Sequence, residues 1–253
     1  MNKIWTFFKR WFIEMGSPPL FYRWSSKALV WLSVSSIIIL SLGLFMGIGL
    51  SPSDYKQGDV YRIIYIHVPS AIMGESIFIF MALCGFINII WRAKISGMLL
   101  KAAAPIGMSF VLLVLTTGSI WGKPTWGTWW VWDARLTSTL ILFFIYAALI
   151  GLHSTIEDKI KADRAVSILA IVGVAIIPVI KKSVDWWQTL HQPSTFKLTS
   201  APSISPEMYQ PLLICVIGFY LVFAFILTLN LRNEILERES SKKWVKEVIG
   251  NQS

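Results

Sequence analysis

Two of the three histidines in the 253-residue sequence stand in distinctive surroundings: His67 lies in YRIIYIHVPS and His191 in VDWWQTLHQPSTF. The third, His153, lies near Glu157 and Asp158, and we expect it to be an exposed interfacial side chain. Neutral imidazole is the commonest metal ligand and a standard axial ligand of haem iron. Zinc or copper normally needs three or four protein ligands, and the two histidine loops supply no third histidine or cysteine. The pair therefore suits an iron held by a macrocycle, or else consists of structural residues.

A tryptophan-rich run, WGKPTWGTWWVWDARLTS, covers residues 121–138 between the two histidines. Gly122, Pro124 and Gly127 interrupt any helical or strand period, so we expect a loop between two apolar segments. Indole surface at a membrane edge serves as an interfacial anchor or as a platform for a large planar ligand. An anchor needs about one or two rings per helix end, so this run, with Trp186 and Trp187 near His191, favours the platform. Its tryptophans are Trp121, Trp126, Trp129, Trp130 and Trp132.

Charged residues accompany the tryptophans. Asp133 can cap the helix that follows, and Arg135 can pair with it or reach lipid headgroups. Alternatively, Arg135 and Arg62 are candidates to contact haem propionates, because the guanidinium fork matches a carboxylate and stays charged. Glu75 lies inside an apolar run, about two turns beyond His67. Intramembrane acids are often functional, but the sequence names no partner for this one, and its role stays open.

The composition predicts the elements that must position these residues. The chain is 55% hydrophobic and 15% charged, with a mean hydropathy of +0.62, and its apolar residues fall in long runs. We therefore predict an all-α polytopic membrane protein with six transmembrane helices. Cys84 and Cys215 each lie inside an apolar run, which predicts neither a disulfide nor a covalent haem attachment site. The predicted spans are 28–50, 65–90, 101–120, 136–153, 166–181 and 211–231.

The basic residues indicate topology and not nucleic-acid binding, although the net charge is +9. With both termini in the cytoplasm, the inner segments hold 16 of the 23 lysines and arginines, which is the expected bias. The outward segments are then 51–64, 121–135 and 182–210. We divide the chain into an amphipathic cytoplasmic segment (1–27), a six-helix domain (28–231) and a charged cytoplasmic tail (232–253).

The run 121–138 closely resembles the WWD signature of the haem-handling proteins of cytochrome c biogenesis. Within that family, the six spans, the YRIIYIHVP and WWQTLHQPST stretches and the chain length are similar to the haem exporter protein C branch, also called cytochrome c maturation protein C. The resemblance implies haem b bound at the periplasmic face of the bacterial inner membrane, over the WWD residues Trp121 to Asp133. His67 and His191 are the implied axial ligands. An organelle-encoded member would lie in the mitochondrial inner membrane.

The resemblance also implies partners and a delivery role without catalysis. This branch presents haem to a periplasmic haem chaperone, cytochrome c maturation protein E. It works beside an ABC transporter of A and B subunits and a small one-span D protein, in contact with membrane lipid. The chain itself has no GxxxxGK[ST] nucleotide-binding run. Two alternatives are a haem transporter, which would want polar residues lining its spans, and a haem lyase acting on apocytochrome c, whose larger relatives have more spans.

Overall fold

The computed structural model describes residues 16–187, 189–191 and 204–250, which are mainly helical and include no strand. Six helical segments are long and apolar enough to cross a membrane, so the predicted fold class is confirmed. Which end of the bundle faces the periplasm stays a prediction. The segments are Pro18–Leu50, Asp59–Trp91, Lys94–Trp126, Ala134–Thr155, Lys159–Trp186 and Pro206–Arg238.

The first and last spans pack along each other. Helix α1 (Pro18–Leu44) continues as a π-helical turn (Phe45–Leu50) and lies against α7 (Pro206–Arg238). Where the start of α1 meets the end of α7, the Arg232 guanidinium lies 3.8 Å from the Tyr22 ring centre and donates to the Tyr22 carbonyl oxygen at 2.6 Å. The described part of the predicted segment 1–27 is thus mostly the start of α1, while residues 1–15 lie outside the described residues.

The second and third spans form an antiparallel pair and correct one prediction. Helix α2 (Ile64–Trp91) follows a 3-10 turn (Asp59–Ile63), and α3 runs over Lys94–Trp126. The run 121–138 is therefore not a loop at its start, since Trp121 and Trp126 are helical. Pro124 removes only one amide donor, and the Thr125 hydroxyl donates to the Trp121 carbonyl oxygen at 2.8 Å. The helix ends at Gly127, whose positive φ of 81° forms the left-handed cap.

The fourth and fifth spans differ in continuity. Helix α4 runs over Ala134–Thr155, whereas the fifth span consists of α5 (Lys159–Gly173) and α6 (Ile176–Trp186). The predicted span 166–181 is thus interrupted after Gly173. Pro178 explains the interruption, because its ring nitrogen has no proton to donate to the Val174 carbonyl four residues earlier. This break lets α6 pack against α4 while α5 packs against α2.

A buried polar cluster closes the end of the bundle at which α4 ends and α5 begins. Arg238 donates to both Asp163 oxygens, at 2.5 and 2.9 Å, and Lys101 lies 2.6 Å from Glu234. The prediction that His153 is exposed is wrong, because its side chain is 5% exposed and its Nδ1 lies 3.9 Å from Asp163 Oδ1. The predicted tail continues α7 to Arg238 and then forms α8 (Lys243–Gly250).

The opposite end of the bundle holds the ends of α3 and α6 and the starts of α2, α4 and α7, and we call it the tryptophan end. Below it, the core is densely packed between α2, α3, α4 and α5. Tyr146 on α4 is fully buried, contacts the Phe78 ring edge-to-face at 5.1 Å, and donates to the Gly74 carbonyl oxygen at 2.8 Å. This packing makes a rigid base for side chains at the tryptophan end.

Candidate functional site

His67 and His191 face each other across one cavity at the tryptophan end. Their ring centres are 6.4 Å apart, and the ring planes are inclined by 33°. His67 lies in the first turn of α2, whereas His191 follows α6 in the segment 189–191. Both line a cavity of about 200 Å³ that also touches α3 and α4. The two histidines selected from sequence are therefore brought together, although 124 positions separate them in the numbering.

The hydrogen bonds of His67 determine which ring nitrogen can bind a metal. Its Nδ1 lies 2.9 Å from Thr117 Oγ1, and the Thr117 hydroxyl donates its own proton to the Leu113 carbonyl oxygen at 2.6 Å. Thr117 therefore accepts from His67, so Nδ1 carries the proton and Nε2 presents its lone pair. Gly118 lies against the ring: a Cβ there would be 3.1 Å from His67 Cε1.

Asp133 positions the segment that carries His191. One carboxylate oxygen accepts from the Leu136 amide at 2.8 Å and caps α4, as its sequence position predicts. The other oxygen accepts a short hydrogen bond from the Thr189 hydroxyl. Thr189 Oγ1 in turn accepts from the His191 amide at 3.1 Å. Asp133 thus connects the start of α4 to His191, with the Thr189 side chain as the one intermediate.

Of the two arginines that the sequence proposed as propionate contacts, Arg135 lies in the site. Its Nη1 is 3.2 Å from His191 Nδ1, and its Nε and Nη2 donate to the Ile180 carbonyl oxygen at 3.4 Å each. A guanidinium has only donors, so His191 Nδ1 accepts and, in a neutral ring, Nε2 carries the proton. His67 and His191 are consequently held in opposite tautomers.

Arg62 is placed elsewhere. Its guanidinium donates to the carbonyl oxygens of Ile48 and Ser51, the latter at 2.9 Å, and its Nε lies 3.2 Å from Asp59 Oδ1. It does not belong to the cavity lining. These bonds join the end of the first span to the start of the second, so Arg62 stabilises the connection between these two spans.

The five tryptophans of the run divide into two groups. Trp121, Trp126 and Trp130 line the cavity, whereas Trp129 and Trp132 are 57% and 77% exposed and lie outside it. The Trp121 ring lies 5.6 Å from His67, edge-to-face, and the Trp126 ring lies 6.2 Å from His191. Each histidine is thus flanked by one helical indole.

Trp121 and Trp130 differ in how their indole nitrogens are used. Trp121 Nε1 donates to Gln57 Oε1 at 2.7 Å. Trp130 Nε1 is buried and has no acceptor among the residues that the structure describes. A buried donor without an acceptor costs about 1–3 kcal/mol, so this N–H is a candidate to bind a polar group of a ligand.

Glu75 and Lys181 form the deep side of the cavity. Lys181 Nζ lies 2.6 Å from Glu75 Oε2, and both residues belong to the lining. The sequence left Glu75 without a partner. The sequence does place a cation, Lys181, near the end of the fifth span. That position could have indicated it as the partner of Glu75, because an intramembrane acid is stable mainly when it is paired.

The sequence did not indicate three further residues of the site, which are Thr117, Gly118 and Thr189. Thr189 lies two residues before His191, where a hydroxyl often bonds to the nearby backbone. Thr117 and Gly118 lie in an apolar span, and no local pattern indicates that they face His67. Only the packing of α2 against α3 shows it.

The arrangement fits an iron macrocycle better than a bare metal ion. Two metal–nitrogen bonds of about 2 Å, and about 1 Å from each nitrogen to its ring centre, separate two axial imidazole centres by about 6 Å. The observed separation is 6.4 Å. Within the described part of the chain, no group of three histidine, cysteine, aspartate or glutamate residues could hold a metal. The remaining ligands would have to come from the bound molecule itself.

Comparison with known proteins identifies the family of this chain. A family model described as "Heme exporter protein C" matches residues 11–246. The chain is 44% identical over 236 residues to a protein of that name from Escherichia coli (strain K12), covering 93% of this chain and 95% of that protein. It is 38% identical over 237 residues to the Haemophilus influenzae protein (94% and 96%) and 41% identical over 226 residues to the Bradyrhizobium diazoefficiens protein (89% and 86%).

Proposed function

Since the chain belongs to the haem exporter protein C family, we propose that this multi-pass membrane protein binds haem b and presents it for cytochrome c maturation. His67 and His191 are the axial ligands. The haem is cargo, and the protein holds and orients it without catalysing a reaction. The tryptophan end faces the periplasm, and the membrane is the bacterial inner membrane.

One observation carries the proposal: the two histidines stand at the separation that two axial imidazoles require. His67 Nε2 is prepared for ligation, because Thr117 holds the proton on Nδ1. The ring planes are not parallel, but axial imidazoles need only direct a nitrogen at the iron. No covalent bond to the protein is needed, which agrees with haem b.

The rest of the cavity suits the periphery of a porphyrin. Trp121, Trp126 and Trp130 supply flat apolar surface. Arg135 and the Trp130 N–H, which has no acceptor within the described residues, supply donors for a propionate. Arg62, which the sequence also suggested, is left out of this role because its donors serve the outer connection.

The size of the cavity predicts that part of the haem stays exposed. About 200 Å³ is enclosed, which is less than the roughly 300–1,000 Å³ of a typical enclosed ligand site. One porphyrin edge would therefore extend past the cavity toward Trp129 and Trp132, whose rings are largely exposed. We propose that the periplasmic haem chaperone meets haem at this edge. The A, B and D proteins of the same system are the proposed membrane partners.

The alternative function, transport of haem across the bilayer, would need polar residues along the spans. Glu75 is the polar residue that a route through the spans would use, and it is bound to Lys181 at the deep side of the cavity. The ion pair compensates the charge of this acid, and both proposed iron ligands lie at the tryptophan end. We therefore prefer presentation at one face over movement across the bilayer.

Visible spectroscopy of the purified protein tests the ligands. The wild type should show the bands of haem with two axial histidines, and a His67→Ala, His191→Ala double variant should lose them together with most of the haem. The control is His153→Gln, which changes the third histidine at the other end of the bundle. Normal haem content and unaltered bands in the double variant would overturn the assignment.

A further inference from the structure

We infer that Arg135 locks His191 in a state that cannot ligate iron and that a carboxylate on the porphyrin releases it. This inference rests on the proposed function and extends it. It makes Arg135 a specificity-determining residue, which couples recognition of the porphyrin's acidic side chains to completion of the iron site.

The lock follows from the donors and acceptors at His191. Arg135 Nη1 donates to His191 Nδ1 over 3.2 Å, so the Nδ1 lone pair is occupied. In the neutral ring, the other nitrogen, Nε2, then carries the proton and has no lone pair to offer. Neither nitrogen of His191 is available to a metal while this hydrogen bond exists. His67 differs, because its partner is the acceptor Thr117 and its Nε2 is available.

Release requires that Arg135 leave Nδ1. One proton then passes from Nε2 to water and one returns from water to Nδ1, so the ring stays neutral and Nε2 gains its lone pair. A carboxylate is the group best suited to attract the guanidinium, because it accepts two parallel charged hydrogen bonds where an imidazole accepts one. Haem carries two such groups, its propionates.

The position of Arg135 permits this exchange. It lies in the first turn of α4 and lines the same cavity as both histidines. Its contacts to the Ile180 carbonyl oxygen, at 3.4 Å, are long and weak. The backbone of His191 is held separately by Thr189 and Asp133. Within the described residues, the backbone of His191 is thus held by Thr189 and not by Arg135.

Nitrogen-15 NMR of histidine-labelled, haem-free protein tests the lock directly. The chain has only three histidines, so single substitutions assign the signals. In the wild type, His191 should show the Nε2–H tautomer and His67 the Nδ1–H tautomer. An Arg135→Met variant, which keeps an unbranched flexible side chain but removes every donor, should change the signal of His191 and leave that of His67. An Nδ1–H tautomer for His191 in the wild type would overturn the lock.

Haem and its dimethyl ester, whose propionates are neutral, test the release. The wild type should bind the ester at least about tenfold more weakly than haem and without the His191 ligand bands, a factor that one charged hydrogen bond can supply. In Arg135→Met the ester should bind about tenfold more tightly than in the wild type and regain those bands. Arg62→Met is the matched control, because that arginine lies outside the cavity.

The outcomes separate the two proposals. If Arg135 only attracts propionates, Arg135→Met weakens haem binding but leaves ester binding unchanged, and the lock is rejected. If the wild type binds haem itself without histidine bands, the proposed function fails, and the NMR measurement alone decides the lock. Arg135→Ala, with monodispersity in detergent as the folding check, repeats the experiment should Arg135→Met fold poorly.

Discussion

The Asp133 carboxylate accepts a hydrogen bond from the Thr189 hydroxyl and thereby ties the His191 segment to the first turn of α4. The same carboxylate caps that helix by accepting from the Leu136 amide. One side chain thus stabilises the helix and positions a proposed haem ligand. Comparison with a variant of another helix-capping aspartate can separate the effect on stability from the effect on haem binding.

Asp133→Ala should lower the free energy of unfolding by about 1 kcal/mol, the usual value of an N-cap, and should also weaken haem binding. The matched control is Asp158→Ala, because Asp158 caps α5 through the Ile160 and Lys161 amides at the other end of the bundle. Thermal unfolding and haem titration are measured on both variants. Equal loss of haem affinity in the two would show that Asp133 acts only as a cap.

Thr117→Val should reduce haem affinity about 10- to 100-fold, the range typical of outer-shell partners of metal-bound histidines. The substitution leaves the His67 Nδ1–H without its acceptor while nearly preserving the volume of the side chain. Thr117→Ser keeps the hydroxyl and should behave like the wild type. Haem titration followed by absorbance gives the affinities, and a Thr117→Val variant with normal affinity would contradict the role of this hydrogen bond.

Gly118→Ala should weaken haem binding about tenfold, because the new Cβ would lie 3.1 Å from His67 Cε1 and displace the ring. Gly151→Ala on α4 is the control, since nothing lies within 4 Å of its added Cβ. That substitution should instead stabilise its helix by about 0.5–1 kcal/mol. Haem affinity and thermal unfolding, measured on both, distinguish ring displacement from a general effect of alanine.

Trp126→Ala and Trp132→Ala should affect different steps. Trp126 lines the cavity beside His191, so its loss should lower haem affinity. Trp132 is largely exposed outside the cavity, so its loss should leave haem affinity unchanged and reduce transfer to the chaperone. Haem content of the purified protein and the amount of haem-loaded chaperone in cells are the two readouts. Identical profiles for both variants would argue against two groups of tryptophans.

The six spans follow from the sequence, because the length and composition of an apolar run decide whether it forms a membrane-crossing helix. It also singled out His67, His191 and the tryptophan-rich run, whose residue types are unusual at their positions. Local breaking signals were less reliable: Gly122 and Pro124 suggested a loop, but α3 continues to Trp126 because the rest of its backbone remains bonded.

The folded structure was needed to see which of these residues meet. It selected Arg135 over Arg62 for the cavity, separated three lining tryptophans from two exposed ones, and supplied Lys181 as the partner of Glu75. It also showed that the Nδ1 atoms of the two histidines have different partners, Thr117 Oγ1 for His67 and Arg135 Nη1 for His191. Such contacts join positions that are 50 or 56 residues apart, and no local pattern encodes them, because they depend on how complete helices pack.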